Sequence, residues 1–218
     1  MNKLYMKDIA IYGAGGFGRE VACLINAINE VEQKWNFIGF FDDGLEKGAE
    51  NIFGKILGGI EELNSWNKEL NIVFSIANPE ILKEVVENVH NDNILFPNLV
   101  APNVNFLHKN SLQIGQGNIL FFGTRVSCEV KIGNFNLLNG FVSLGHDVQI
   151  GDYNVLGPMV RLSGNVIIQD ENFFGVQAIV LQGIKMGCKT KIGPNSVLMR
   201  NTKDGFLYMG NPAHRIKI

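Results

Sequence analysis

Read at every sixth residue from Ile114 to Leu198, the chain gives Ile, Leu, Val, Ile, Leu, Leu, Ile, Leu, Leu, Ile, Phe, Val, Met, Ile, Leu, all apolar. In a chain that is 46% hydrophobic, chance produces such a run with a probability on the order of 10⁻⁵, so the period of six is a structural rule. A period of 18 overlies it: Ile114-Gly115, Ile132-Gly133 and Ile150-Gly151 recur, Ile168 and Met186-Gly187 continue the series, and Asn118, Asn136, Asn154 and Asn172 follow four residues later. Three hexapeptides therefore make one coil. The pattern predicts a three-sided parallel β-helix with one apolar side chain per face pointing inward and a turn at each corner. Residues 18 apart become vertical neighbours about 4.8 Å apart, the ordinary strand spacing. Residues 98–113 (NLVAPNVNFLHKNSLQ) break the register and are expected to form a distorted first coil or a junction.

Composition fits many tight turns. The 218 residues include 25 Gly and 26 Asn, and both types tolerate the positive φ that corners of a coil often need. A net charge of -2 and a pI near 6.1 predict no electrostatic grip on nucleic acid or anionic lipid. Cys23, Cys128 and Cys188 are an odd number with no C-x-x-C pair, which suggests neither a disulfide framework nor a thiolate zinc site. No stretch approaches the ~20 apolar residues of a membrane span, and the start has no signal-peptide core. The expectation is a soluble, cytoplasmic protein without membrane insertion.

The first 92 residues read differently. Asp8 to Tyr12 is a short buried strand running into Gly13-Ala14-Gly15-Gly16-Phe17-Gly18, a G-x-G-x-x-G turn. A helix with Val21, Leu24, Ile25, Ile28 and Val31 inward should follow, then a strand (residues 37–41) ending in Asp42-Asp43. A third strand from Ile72 leads to Asn78-Pro79, an N-cap and N1 pair, and a helix with Ile81, Leu82, Val85, Val86 and Val89 inward. Alternating strands and helices imply a small parallel sheet. The glycine turn lets backbone N–H groups approach an anion, and the acidic pair can accept hydrogen bonds from a ribose or base. Some 90 residues are too few for the two halves that hold a dinucleotide, so a mononucleotide or nucleotide-sugar is favoured over NAD. The expected domains are residues 1–92, Rossmann-like, and residues 93–218, the β-helix with a C-terminal tail.

The whole pattern resembles one family, the hexapeptide-repeat, left-handed β-helix acyltransferases, and within it the sugar acetyltransferases with an N-terminal nucleotide-sugar domain. Those that N-acetylate UDP-4-amino-sugars in bacterial surface glycan synthesis are the nearest in pattern, with sialic acid O-acetyltransferases close to them. The resemblance is carried by GAGGFG, FFDD, the repeats, Gly145-His146-Asp147-x-x-Ile150-Gly151-Asp152, Leu162-Ser163-Gly164 and Gly210-Asn211-Pro212-Ala213. It implies a left-handed coil and a homotrimer with the site at the subunit interface.

Of four histidines, His146 alone lies within the regular repeats, beside Asp147. Acyl transfer from a thioester to an amine needs a base, and imidazole has the right basicity near neutrality. An adjacent carboxylate orients the ring. Gly164 is His146 plus 18, where an N–H could face the developing oxyanion; a corner glycine is the equal alternative. The resemblance implies the oxyanion role for Gly164, support of the base by Asp147 where relatives carry Glu, and contact of Asn139 with the sugar. It further matches Gly15, Gly16, Phe17, Asp42, Asp43 and Ala77 to the nucleotide-sugar, and Val155, Val176 and Pro194 to acetyl-CoA. Some relatives have a second histidine at Val155 and a glycine at Pro194. Arg215, after the NPA segment, could meet a CoA phosphate.

The function expected is acetyl-CoA-dependent N-acetylation of a UDP-, dTDP- or GDP-linked amino sugar of the 4-amino-4,6-dideoxy type. The alternatives are O-acetylation of a sialic acid or other sugar and, more distantly, a non-catalytic nucleotide-sugar-binding trimer. A zinc hydratase of the γ-carbonic anhydrase type needs three histidine ligands. His108 and His146 differ by 38 rather than 36, and His90 and His214 lie outside the repeats, so no metal is expected.

Overall fold

The computed structural model describes residues 6–216. The chain forms two compact units, one from the residues up to Ala77 with Ile81–Pro102, the other from Asn78–Glu80 with the residues from Asn103 onward.

The first unit holds β1 (Lys7–Tyr12), α1 (Gly16–Val31), β2 (Trp35–Phe41), β3 (Glu50–Asn51), β4 (Gly54–Gly58), α2 (Ile60–Asn64), β5 (Leu70–Phe74), α3 (Pro79–Glu87) and β6 (Ile94–Leu95). The strand order is β3-β4-β2-β1-β5-β6. Every pairing is parallel except that of the β3–β4 hairpin. Strand β6 extends this unit past the 92/93 join expected from the sequence. Asn78 caps α3, its Oδ1 accepting from Glu80 N at 3.0 Å. Two side chains expected inward point out: Val31, at the last turn of α1, is 76% exposed, and Ile81 is 49% exposed.

The second unit is the left-handed parallel β-helix that the repeats and the resemblance predict. Two-residue strands pair 18 apart on three faces, as in Leu137↔Val155, Ser143↔Arg161 and Gln149↔Ile167. Of the fifteen hexapeptide positions, all but Ile114 are buried, and Ile114 is half-buried. A second inward residue stands two before each of them. Val142, Val148, Val160 and Val166 fill this position on two faces, and Asn118, Asn136, Asn154 and Asn172 fill it on the third, all 0–1% exposed.

The asparagines are therefore interior, and they do not supply the left-handed corners. Asn118 Oδ1 accepts from both N and Nδ2 of Asn136 at 2.9 and 3.1 Å, Asn136 Oδ1 from Asn154, Asn154 Oδ1 from Asn172, and Asn172 Oδ1 from Thr190 N at 2.7 Å. The positive φ falls on other residues, one in every six: Glu129, Phe135, Phe141, Asp147, Tyr153, Met159, Asn165 and onward, all between 52° and 61°. A non-glycine residue resists this conformation by roughly 1–2 kcal/mol. Here each is held from the next coil, as Asp147 N donates to Cys128 O at 3.1 Å and Asn165 N to His146 O at 2.7 Å.

The recurrent Ile-Gly glycines answer a different demand. A methyl group on Gly133 would lie 2.2 Å from Asp152 Oδ1, and one on Gly151 2.1 Å from Asp170 Oδ1. Those carboxylates accept from Asn134 N and Asp152 N at 2.7 and 2.8 Å, so the glycines make room for caps on the corner amides.

The irregular stretch is nearly regular. Asn105 pairs with Arg125, an offset of 20, and Gln113 with Lys131, an offset of 18. The 3₁₀ turn Lys109–Ser111 absorbs the two extra residues. His108 therefore follows the register of Cys128 and His146, and the spacing of 38 does not take it out of line. Among the described residues, no three His, Cys, Asp or Glu side chains group as metal ligands.

Replacing Asn154 by Ala strands the N donor of Asn172 in the core and removes one of the two acceptors of its Nδ2. Denaturant unfolding should show a loss of about 3 kcal/mol, against under about 0.5 kcal/mol for the exposed Lys131→Ala. Equal losses would remove the asparagine file as a source of stability.

Candidate active site

The β-helix has three corners, and they differ in chemistry. Along the first, Asn134, Asp152 and Asp204 cap backbone amides of Gln116, Asn134 and Cys188. Along the second stand Asn139, Phe141, Met159, Val176 and Pro194. The third carries Cys128, His146 and Gly164, one coil apart.

At the third corner His146 Nδ1 lies 2.7 Å from Asp147 Oδ2, with both side chains about half exposed, 53% and 55%. The left-handed backbone at Asp147, φ 58°, turns its carboxylate onto the preceding imidazole. The short Asp side chain therefore reaches the ring. With Nδ1 engaged, Nε2 is the nitrogen open to a substrate.

Nε2 sits above Gly164. A methyl group there would lie 2.4 Å from Nε2 and 2.5 Å from Cε1. Gly164 does not have the positive φ of a left-handed corner, so that explanation of it fails. Its N–H meets no acceptor among the described residues. A side chain on Gly145 would crowd that amide, since a methyl group would lie 2.6 Å from Gly164 N. An open N–H beside an oriented imidazole can serve charge that develops on an acyl oxygen.

The other expected acyl-donor contacts lie elsewhere on the chain. Val176 and Pro194 are exposed and stacked at the second corner, where Asn139 Oδ1 accepts from Gly140 N at 2.6 Å. They are one strand away from His146 along the coil. Val155 is 2% exposed, on the face in register with Leu137 and Phe173. Arg215 is engaged locally, its Cζ 4.6 Å from the centre of the Phe206 ring. A cavity of about 300 Å³, lined by Met159, Arg161, Gln177, Ile179, Asn195, Val197 and Asn211, opens on the face between the second and third corners and was not legible in the sequence.

In the first unit the expected nucleotide residues gather at one edge. The Gly13–Gly18 turn, Asp42-Asp43 and Ala77 follow the C-terminal ends of β1, β2 and β5, which are adjacent parallel strands. Ligands of open α/β sheets bind at this edge, where connections diverge to either side of the central strand. Gly13, with φ 101°, passes Ser75 so closely that a methyl group would lie 2.6 Å from its Oγ, and one on Gly18 would lie 2.0 Å from Gly13 O. A methyl group on Gly15 would meet nothing within 4 Å, and the residue starts α1 without a side-chain cap, which leaves its turn approachable from outside. Phe17 is half-buried and Ala77 exposed.

The acidic pair is partly committed. Asp42 accepts from Ala14 N and Gly44 N at 2.8 and 2.9 Å. Asp43 accepts from Ile60 N at 2.8 Å and from the Tyr12 hydroxyl. Burial first, and then that carboxylate, push the Tyr12 phenol well above its ordinary range. Asp42 thus shapes the glycine turn and Asp43 braces the start of α2, each keeping lone pairs for a ligand. A cavity of about 250 Å³ lined by Asp42, Asp43, Leu45, Lys47, Gly58, Gly59, Ile60, Glu61 and Glu62 adjoins them.

Comparison with known proteins sets this geometry in context. Residues 8–89 match the family described as the PglD N-terminal domain. No curated protein sequence matches. Among solved structures, the acetyltransferase domain of PglB from Neisseria gonorrhoeae, in complex with acetyl coenzyme A, is 27% identical with a TM-score of 0.87, covering 97% of this chain and 100% of that one. WeeI from Acinetobacter baumannii is 26% identical with a TM-score of 0.86, covering 97% and 100%. A mutant perosamine N-acetyltransferase from Caulobacter crescentus, in complex with CoA and GDP-perosamine, is 19% identical with a TM-score of 0.85, covering 98% and 99%, and speaks for the fold alone. The likeness carried by the repeats thus runs the length of the chain: a PglD-type N-terminal domain followed by a left-handed β-helix, the architecture of the hexapeptide-repeat sugar acetyltransferases.

Proposed function

We propose that this protein is an acetyl-CoA-dependent N-acetyltransferase acting on a nucleotide-linked amino sugar of the 4-amino-4,6-dideoxy type, in bacterial surface glycan synthesis. The observation that carries the reading is the His146–Asp147 pair at 2.7 Å with its ring over the open amide of Gly164. The names of the matched structures, acetyltransferases solved with CoA or acetyl-CoA, support the donor.

Chemically, each group has one task. His146 Nε2 takes a proton from the acceptor amine as the nitrogen bonds to the thioester carbonyl carbon. Gly164 N–H donates to the carbonyl oxygen as it becomes negative. When the carbon–sulfur bond breaks, His146 returns the proton to the leaving thiolate, giving the amide and free thiol. Asp147 keeps Nδ1 as the donor side of the ring throughout and stabilises the imidazolium.

The sugar arrives on the nucleotide edge of the first unit, with Gly15 and Gly16 at the diphosphate, Asp42 and Asp43 toward the ribose and base, and Phe17 and Ala77 flanking it. A UDP, dTDP or GDP carrier fits this reading. Asn139, Val176 and Pro194 stand at a different corner from His146, which favours a homotrimer whose sites combine corners of two copies. The exposed Phe141 and Met159 on that second corner, 62% and 43%, are side chains such a contact would cover. We place the enzyme in the cytoplasm; no helix among the described residues is long and apolar enough to cross a membrane.

Release of CoA thiol should be measured with UDP-, dTDP- and GDP-linked 4-amino sugars, with the matching hydroxy-sugars and with sialic acid. One amino-sugar nucleotide should exceed every hydroxyl acceptor in kcat/KM by at least about 100-fold, and His146→Ala should lower that value by about 10³-fold. Turnover of hydroxyl acceptors alone would move the assignment to O-acetylation, and full activity in His146→Ala would leave a binding trimer.

Gly164→Ala tests the oxyanion corner. The added methyl displaces the imidazole, so kcat should fall about 100-fold while the melting temperature changes by less than about 3 °C. Unchanged kcat would show that catalysis does not need the imidazole seated over Gly164.

A further inference from the structure

We propose that Arg200 holds the phosphate end of coenzyme A; this rests on the acetyltransferase reading above. The register carries the argument. The pairs Val126↔Leu144, Leu144↔Leu162, Leu162↔Val180 and Val180↔Leu198 hold an unbroken offset of 18. Two residues beyond each of the first four, Cys128, His146, Gly164 and Gln182 form one file along the third corner, and Arg200 follows Leu198, the last paired residue of that face, where the chain leaves the regular corner. At about 4.8 Å per coil, Arg200 stands about 10 Å from Gly164 and about 14 Å from His146. A fully extended pantetheine arm spans roughly 16 Å from its sulfur to the first phosphorus, from ordinary bond lengths. A thioester with its carbonyl at Gly164 therefore carries its first phosphate roughly 6 Å beyond the Arg200 backbone, a distance that an extended arginine side chain spans.

Two observations set the direction. The imidazole leans toward Gly164, whose N–H is open, so the acyl group belongs on the C-terminal side of His146. The other side offers the thiol of Cys128 and the carboxylate of Glu129, which repels an anion. Beyond these, Lys109 Nζ lies over the Phe106 ring at 5.8 Å.

The rival arginines are less well placed. Arg161 belongs to the coil of Gly164 itself, level with the thioester and far short of the phosphates. Arg215 is stacked on Phe206. Arg200 is exposed and makes no ion pair with a described residue, so its planar fork is available for bidentate contact with phosphate.

Calorimetric titration of the full-length protein with CoA and with pantetheine, which lacks the phosphates, tests this without knowledge of the acceptor. The unaltered protein should bind CoA at least tenfold more tightly than pantetheine. Arg200→Gln should weaken CoA about tenfold and leave pantetheine unchanged, while Arg215→Gln changes CoA by less than twofold. Undiminished CoA binding by Arg200→Gln, or equal weakening of CoA and pantetheine, overturns the assignment to Arg200 and leaves the acetyltransferase reading standing. Failure of the unaltered protein to bind CoA overturns both.

Discussion

Hydrogen bonding between successive coils, at a fixed offset of 18 residues, is the constraint on which the second unit depends. It runs through strand pairs, through the left-handed corner residues and through the buried asparagine file, so one register is specified three times over. The redundancy is what lets non-glycine residues occupy an unfavourable backbone region at corner after corner. A strained conformation persists where its surroundings over-determine it, and here each strained residue has its N–H claimed by the neighbouring coil. The same arrangement converts sequence number into distance, which is how His146 and Gly164 come to lie on one line.

Function then enters as a local omission. At the first corner the amides are closed by Asn and Asp side chains from the next coil, with glycines clearing the way. At the third corner no such side chain follows. Gly164 has His146 above it and Gln182 beyond it, and its N–H meets no acceptor among the described residues. The first unit behaves similarly: Asp42 and Asp43 close amides at Ala14, Gly44 and Ile60, while the turn at Gly15 stays uncapped.

Much of this was legible in the sequence because the apolar period is so strict. The inward file from Leu120 to Leu198 and the parallel βα pattern of the first unit needed only spacing. The second inward position was hidden because nearly half of it is polar: Asn, Thr and Ser at positions such as Asn136, Thr124 and Ser196 read as corners until their partners are seen. Positive φ could not be assigned from residue type, since Phe135, Met159 and Lys189 adopt it under tertiary pressure. The 3₁₀ turn at Lys109–Ser111 was masked by its length, and the β3–β4 hairpin by strands too short to show alternation. Val155 was placed on the ligand by correspondence with relatives, and its burial beside Leu137 and Phe173 could not be read from that correspondence. His146 and Gly164 were found because 18 separates them, yet only the structure distinguishes an open amide from a corner glycine.

The two residues gathered into the Lys109–Ser111 turn have a consequence for how such a chain can change over time. Within the stack, gain or loss of a single residue would turn both inward files outward, so length is quantised, with whole coils as the natural unit. The turn shows the permitted exception: surplus residues can be looped out at a corner while the strands on either side keep their partners. Lineages of this fold are thus free to lengthen at their corners and bound to be conservative along their faces, and divergence in substrate should accumulate where the chain bends.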